Sequence, residues 1–107
     1  MIEDSELRAL FQSENEERLN HLESGLKELK SNLFDQELIE GIFRDAHTIK
    51  GAARMFEILS IEKIAHQIEE LLDGVRRKRY TLTPLAISRC YEAIDAIRAL
   101  VIEAVQG

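Results

Sequence analysis

The chain reads as an all-α protein, an antiparallel up-down four-helix bundle. Three observations carry that reading. Four segments place apolar residues at intervals of three and four, and no stretch alternates apolar and polar residues as a half-buried strand would. One Pro, five Gly, four Phe, two Tyr and no Trp are too few turn formers and aromatics for a β-sandwich or barrel. The connections between the four segments are short, which makes consecutive helices antiparallel neighbours.

The first helix is expected from about Ser5 to Lys30, with Leu7, Leu10, Phe11, Leu19, Leu22, Leu26 and Leu29 on its apolar stripe. Glu14 and Asn15 interrupt that stripe, and this part of the helix is expected to overhang the core. The second runs from an Asp35 N-cap to about Phe56, on a stripe of Ile39, Ile42, Phe43, Ala46, Ile49, Ala53 and Phe56. The third follows Ser60, read as its N-cap, and carries Ile61, Ile64, Ala65, Ile68, Leu71, Leu72 and Val75. The fourth opens on Thr83 as N-cap with Pro84 at the first helical position, where a missing N–H costs nothing. Its stripe is Ile87, Cys90, Tyr91, Ile94, Ile97, Val101 and Val105. The run Arg76-Arg77-Lys78-Arg79 closes the third helix and reads as a solvated end whose cations complement the helix dipole.

At 107 residues and 12.3 kDa the chain is the size of one domain, spanning 1–107. With 45% hydrophobic and 32% charged residues it is globular rather than disordered. Fourteen Lys and Arg against twenty Asp and Glu give a formal charge of −6, which argues against a nucleic-acid partner. The single cysteine, Cys90, excludes an internal disulfide and a Cys-based zinc site, and fits a reducing, cytoplasmic setting. The first residues are acidic and lack the apolar run of a signal peptide. No stretch approaches the about 18 apolar residues of a membrane span, so no membrane association is expected.

A bundle is a scaffold, so function has to come from residues that break its pattern. On the second helix His47 sits one step round from the buried stripe. Lys50 and Gly51 lie at i+3 and i+4 from it, and Arg54 at i+7, on the same side. A glycine inside a helix costs about 1 kcal/mol against alanine, so Gly51 needs a reason. Removing the side chain beside His47 lets another protein approach the imidazole. The two neighbouring cations favour an anionic group there. On the third helix His66 and Glu69 are three apart, and with the two helices antiparallel either Glu69 or His66 could face His47 across the groove. A carboxylate accepting Nδ1–H fixes the neutral tautomer and leaves Nε2 with a free lone pair, as a histidine nucleophile requires. The combination points to phosphoryl chemistry on His47. The plainer alternatives are an inert exposed histidine, which is how His21 is read, and an ordinary solvated face. A metal site on His47, His66 and Glu69 is disfavoured: Lys50 would repel the cation, and the Glu-x-x-His pairs of di-iron bundles are absent.

The segment Ala46-His47-Thr48-Ile49-Lys50-Gly51-Ala52-Ala53 resembles the His-x-x-Lys-Gly signature of histidine-phosphotransfer (HPt) domains, in the subtype found at the N-terminus of CheA-type chemotaxis histidine kinases. Ala65-His66-Gln67-Ile68-Glu69-Glu70-Leu71-Leu72-Asp73-Gly74-Val75-Arg76 resembles the third helix of that subtype, and Leu82-Thr83-Pro84 its entry into the fourth. The resemblance covers nearly the whole chain in consistent order, and implies an HPt-like fold. It implies His47 as the phosphorylated residue through Nε2, with Glu69 on Nδ1, Lys50 beside the phosphoryl group, His66 completing the polar network and Gly51 keeping the surface open.

It further implies a phosphoryl carrier without catalytic activity of its own. A kinase ATP-binding domain would phosphorylate His47, and a response-regulator receiver domain would take the group onto an aspartate. ATP and Mg²⁺ would come from those partners, and the domain itself would hold no cofactor and no metal. The receiver would dock around His47, Lys50, Gly51 and Arg54, flanked by Glu62, Glu69, Glu70 and Asp73. The isolated domain is expected to be monomeric. If the chain is the N-terminal part of a longer protein, that parent would be an ATP-dependent protein-histidine kinase. The alternative is a non-phosphorylated helical adaptor of the same fold.

Two departures stand out. The family often has a glycine ten residues after the phosphorylated histidine, where this chain has Glu57, so the usual glycine cap of the second helix is not expected. CheA-type domains also usually carry a fifth helix, which is not expected within these 107 residues.

Overall fold

The computed structural model describes residues 2–106, so the ends of the expected 1–107 domain, Met1 and Gly107, lie outside the described residues. Four helices follow in order: α1 (Ser5–Leu29), α2 (Gln36–Met55), α3 (Leu59–Arg76) and α4 (Pro84–Gln106). Each packs on its neighbour in the chain except that α4 closes on both α3 and α1. The result is an antiparallel four-helix bundle of 42 × 22 × 19 Å. No described helix is long and apolar enough to cross a membrane.

Side-chain caps start three of the helices. The Asp4 carboxylate accepts from the N–H groups of Glu6 and Leu7 at 2.8 and 3.0 Å, Asp35 from Leu38 at 3.0 Å, and the Thr83 hydroxyl from Ala86 at 3.1 Å. α3 differs from the expectation. Its N-cap is Ile58, with no side-chain cap, and Ser60 falls inside the first turn. The reason lies in the end of α2. The Ile58 N–H bonds back to Ala53 O at 2.9 Å and Glu57 N–H to Arg54 O at 3.1 Å, a Schellman closure. The Ile58 carbonyl meanwhile accepts from Glu62 N–H at 3.0 Å. One residue ends α2 and begins α3, leaving no position for a separate serine cap.

That closure needs a left-handed residue, and Glu57 supplies it at φ 58°. The glycine-type helix end therefore forms without the glycine. α3 ends in the same way: Lys78 has φ 62°, and Arg79 N–H bonds to Gly74 O at 2.9 Å. Each non-glycine residue in this conformation costs about 1 kcal/mol.

The core follows the four stripes, with corrections. Leu7 and Leu10 are exposed rather than buried. Phe11 meets Phe56 edge-on at 5.1 Å where α2 ends, so the turns of α1 before Phe11 extend past α2. The overhang therefore precedes Phe11, whereas Asn15, expected to lie in it, is buried. The Asn15 amide donates to Phe11 O at 2.8 Å, while its Oδ1 is buried without a partner. Phe43, Phe56, Ile64, Leu71, Tyr91 and Val105 are only half-buried, at the rim of the core. Ile2 and Leu82, outside the helices, join it. Gly25 lets α1 press on α2, since a Cβ there would lie 2.2 Å from Ile42 Cγ2. Cys90 is buried in α4, and burial pushes its thiol up to about 11.

Candidate functional site

The α2–α3 face brings together the residues that broke the helical pattern. The two helices are antiparallel and joined by a short turn, so His47 and Lys50, one turn apart on α2, both reach Glu69 on α3. The His47 imidazole bonds through Nδ1 to Glu69 Oε2, and Lys50 Nζ donates to Glu69 Oε1 at 2.5 Å. Exposure separates their roles. The His47 side chain is 64% exposed and that of Glu69 only 10%. Burial pushes the Glu69 carboxyl up, but hydrogen bonds from Lys50 and His47 outweigh it and hold it below the ordinary 4.5. Glu69 is thus a buried carboxylate anchoring an exposed imidazole, whose Nε2 has no partner among the described residues. The Phe43 ring stacks on His47 at 6.3 Å, with the Arg76 guanidinium 4.4 Å from the Phe43 centroid. Two contacts, to Glu69 and Phe43, therefore fix the orientation of the imidazole.

Gly51, one turn beyond His47, is exposed, and a Cβ there would meet nothing within 4 Å. No internal packing calls for the glycine, and its effect is to flatten the surface beside the imidazole. Arg54, a further turn along, donates to Glu62 at 2.8 Å.

Other expected site residues lie apart from this cluster. His66 points outward and pairs through Nε2 with Glu70 Oε1 at 3.2 Å, and does not bond to His47, Lys50 or Glu69. It sits a turn from Glu69 but round the helix from it, so the expected completion of the polar network by His66 is not seen, and no three-ligand metal cluster forms among the described residues. Asp73 is held by Arg76 at 2.7 Å and Arg77 at 3.0 Å, and the hydrogen bonds from Arg76 and then Arg77 keep its carboxyl below the usual value. The expected acidic flank is therefore a row of partnered carboxylates: Glu62 with Arg54, Glu70 with His66 and Asp73 with two arginines. The basic run is likewise engaged in part, since Arg76 also approaches Glu40 at 3.7 Å.

One arrangement escaped the sequence reading. His21, read as inert, bonds through Nδ1 to Asp45 Oδ2 at 2.6 Å, and Arg18 donates to Asp45 Oδ1 at 3.1 Å. Asp45 is buried between α1 and α2. The available signal was its place on the apolar stripe, three after Ile42 and four before Ile49.

The four helices thus display a carboxylate-anchored, outward-facing histidine on the α2–α3 face. A match to the Hpt domain family extends over residues 6–103, and the chain belongs to that family. It is 32% identical over 95 residues to the chemotaxis protein CheA of Treponema pallidum and 36% identical over 89 residues to that of Halobacterium salinarum. These alignments take in 89% and 83% of this chain but only 12% and 13% of those proteins. The CheA phosphotransferase domain from Thermotoga maritima superposes with a TM-score of 0.91 at 32% identity, over 97% of this chain and 99% of that one. The phosphorylated P1 domain of CheA3, solved in complex with CheY6 from R. sphaeroides, gives 0.88 at 25% identity, over 96% of this chain and 80% of that one. The chain is a CheA-like phosphotransfer domain, with the role of a phosphoryl carrier.

Proposed function

We propose that the domain accepts a phosphoryl group on His47 Nε2 from a kinase ATP-binding domain and passes it to a response-regulator aspartate. The observation that carries this is the His47–Glu69–Lys50 cluster, in which a buried carboxylate anchors an exposed imidazole. With Nδ1 donating to Glu69, the Nε2 lone pair is free and no base is needed to uncover it. Nε2 attacks the γ-phosphorus of ATP, the bond to the leaving ADP oxygen breaks and the N–P bond forms. The ring keeps its Nδ1 proton and becomes cationic, facing the Glu69 carboxylate, while Lys50 offsets the added negative charge. In the return step the aspartate attacks phosphorus, and His47 leaves as a neutral imidazole.

ATP and Mg²⁺ act in the partner domains. The chain resembles only a short part of its relatives, and we read it as the phosphotransfer unit of a larger histidine kinase. Its receiver would meet the flat face around His47, Lys50, Gly51 and Arg54. The complex of the R. sphaeroides relative with CheY6 supports a receiver as partner.

The test is intact-mass phosphorylation with ATP, Mg²⁺ and a CheA-type kinase core, beside a His47→Gln control. One acid-labile phosphoryl adduct on the wild type and none on the control is expected. If a small phosphoramidate also leaves His47 unmodified, the reading is lost to a non-phosphorylated adaptor.

A further inference from the structure

The bundle holds a second copy of the site's chemical pattern, between α1 and α2. In both places a carboxylate on the following helix accepts from an imidazole Nδ1 and from a cation one turn away on the histidine's own helix. His47, Lys50 and Glu69 form one set, and His21, Arg18 and Asp45 the other. Exposure matches as well: the His21 side chain is 62% exposed against 64% for His47, and the Asp45 side chain 3% against 10% for Glu69. His21 Nε2, like His47 Nε2, has no partner among the described residues.

A second cation lines the groove beside the imidazole. His21 opens on a shallow groove lined also by Ser24 and Arg44 and by the carboxylates of Glu28, Asp35 and Glu37. Arg44 makes no ion pair among the described residues and is exposed. Gly41 adds no side chain to that groove.

We infer that His21 is a second phosphoryl acceptor, positioned by Asp45 and open to a small phosphoramidate donor. The comparison rests on the reading of His47 as an acceptor. In the step, His21 Nε2 attacks the phosphorus of phosphoramidate, the P–N bond breaks and ammonia leaves. The imidazole retains its Nδ1 proton, and the positive charge it gains faces Asp45.

His66 supplies the internal control, because its Nε2 is engaged by the exposed Glu70 rather than freed by a buried carboxylate. The chain has three histidines, so three variants each retain one of them, with the other two changed to Gln. All are treated with potassium phosphoramidate and followed by intact mass, with folding checked by circular dichroism. The chain retaining His21 should gain an acid-labile phosphoryl group about tenfold faster than the chain retaining His66, the scale expected of a hydrogen bond that tunes an imidazole. Asp45→Asn in the first chain should slow that gain, while the same substitution in the chain retaining His47 should leave its rate unchanged. A rate at His21 no greater than at His66 overturns the inference, whatever His47 does. Reaction at His21 with an inert His47 would uphold it and remove the reading of His47 instead.

Discussion

Glu69 does two things at once: it pins the imidazole of His47 and neutralises Lys50. Glu69→Gln keeps the shape and loses the charge. The bundle should stay folded, while phosphorylation of His47 slows by about 10–100-fold in a kinase-coupled assay. Stability should respond to pH as well. The folded Glu69 carboxyl lies below 4.5, so its contribution is complete above that pH and is lost as pH falls through the lowered value. Urea titrations on the acid side of 4.5 should show Glu69→Gln losing less stability per pH step than the wild type. Gly51 acts differently, since it touches nothing. Gly51→Gln should preserve or raise the melting temperature, because any side chain improves helix propensity by up to about 1 kcal/mol over glycine. Transfer to the receiver should drop, and stopped-flow transfer kinetics would separate the two effects. The sequence announced these residues because each is an odd choice on an amphipathic helix. It misassigned His66 because three residues of spacing bring a side chain only near a partner's face, and the exposed Glu70 offered it a closer bond.

Among the elements, α2 and α3 share the same ending: a left-handed residue that is not glycine, Glu57 in one and Lys78 in the other. Glu57→Gly and Lys78→Gly should each stabilise the fold by about 0.5–1 kcal/mol, and together nearly additively, read from chemical denaturation midpoints. The position of these endings was legible, because the apolar stripes stop there. Their backbone conformation was not, since it is imposed by the turn into the next element against the preference of the residue itself. The missing Ser60 cap has the same cause: Ile58 belongs to two helices, and the hydrogen bonds of the first already fix the start of the second. Asn15 shows the opposite limit. Its place on the stripe was visible, but whether an amide there is solvated or buried depends on how far α2 reaches along α1.

For the whole molecule, the arrangement of helices divides stability from chemistry. α4 packs on α1 and α3, while the histidine sits on α2. Ile94, fully buried in α4, contributes to the core and not to the site. Ile94→Ala should lower unfolding free energy by about 2–5 kcal/mol, a large part of the about 5–15 kcal/mol typical of a domain. Well below the melting temperature, the phosphorylation rate of the variant should equal that of the wild type. The bundle itself was legible from periodicity and loop length, which are collective signals and tolerate local errors. The buried Asp45 was not, because a single charge on an apolar stripe says nothing about its partners until α1 is laid beside it.

The burial of Cys90 has a practical consequence. A thiol shielded in α4 and pushed up to about 11 is almost wholly protonated at neutral pH, and so a poor nucleophile toward alkylating reagents. Any cysteine introduced on the surface therefore becomes the one reactive sulfur in the folded chain. A fluorophore or spin label attached at a site such as Ser13 or Ser88 would report on docking and transfer with the native Cys90 left in place.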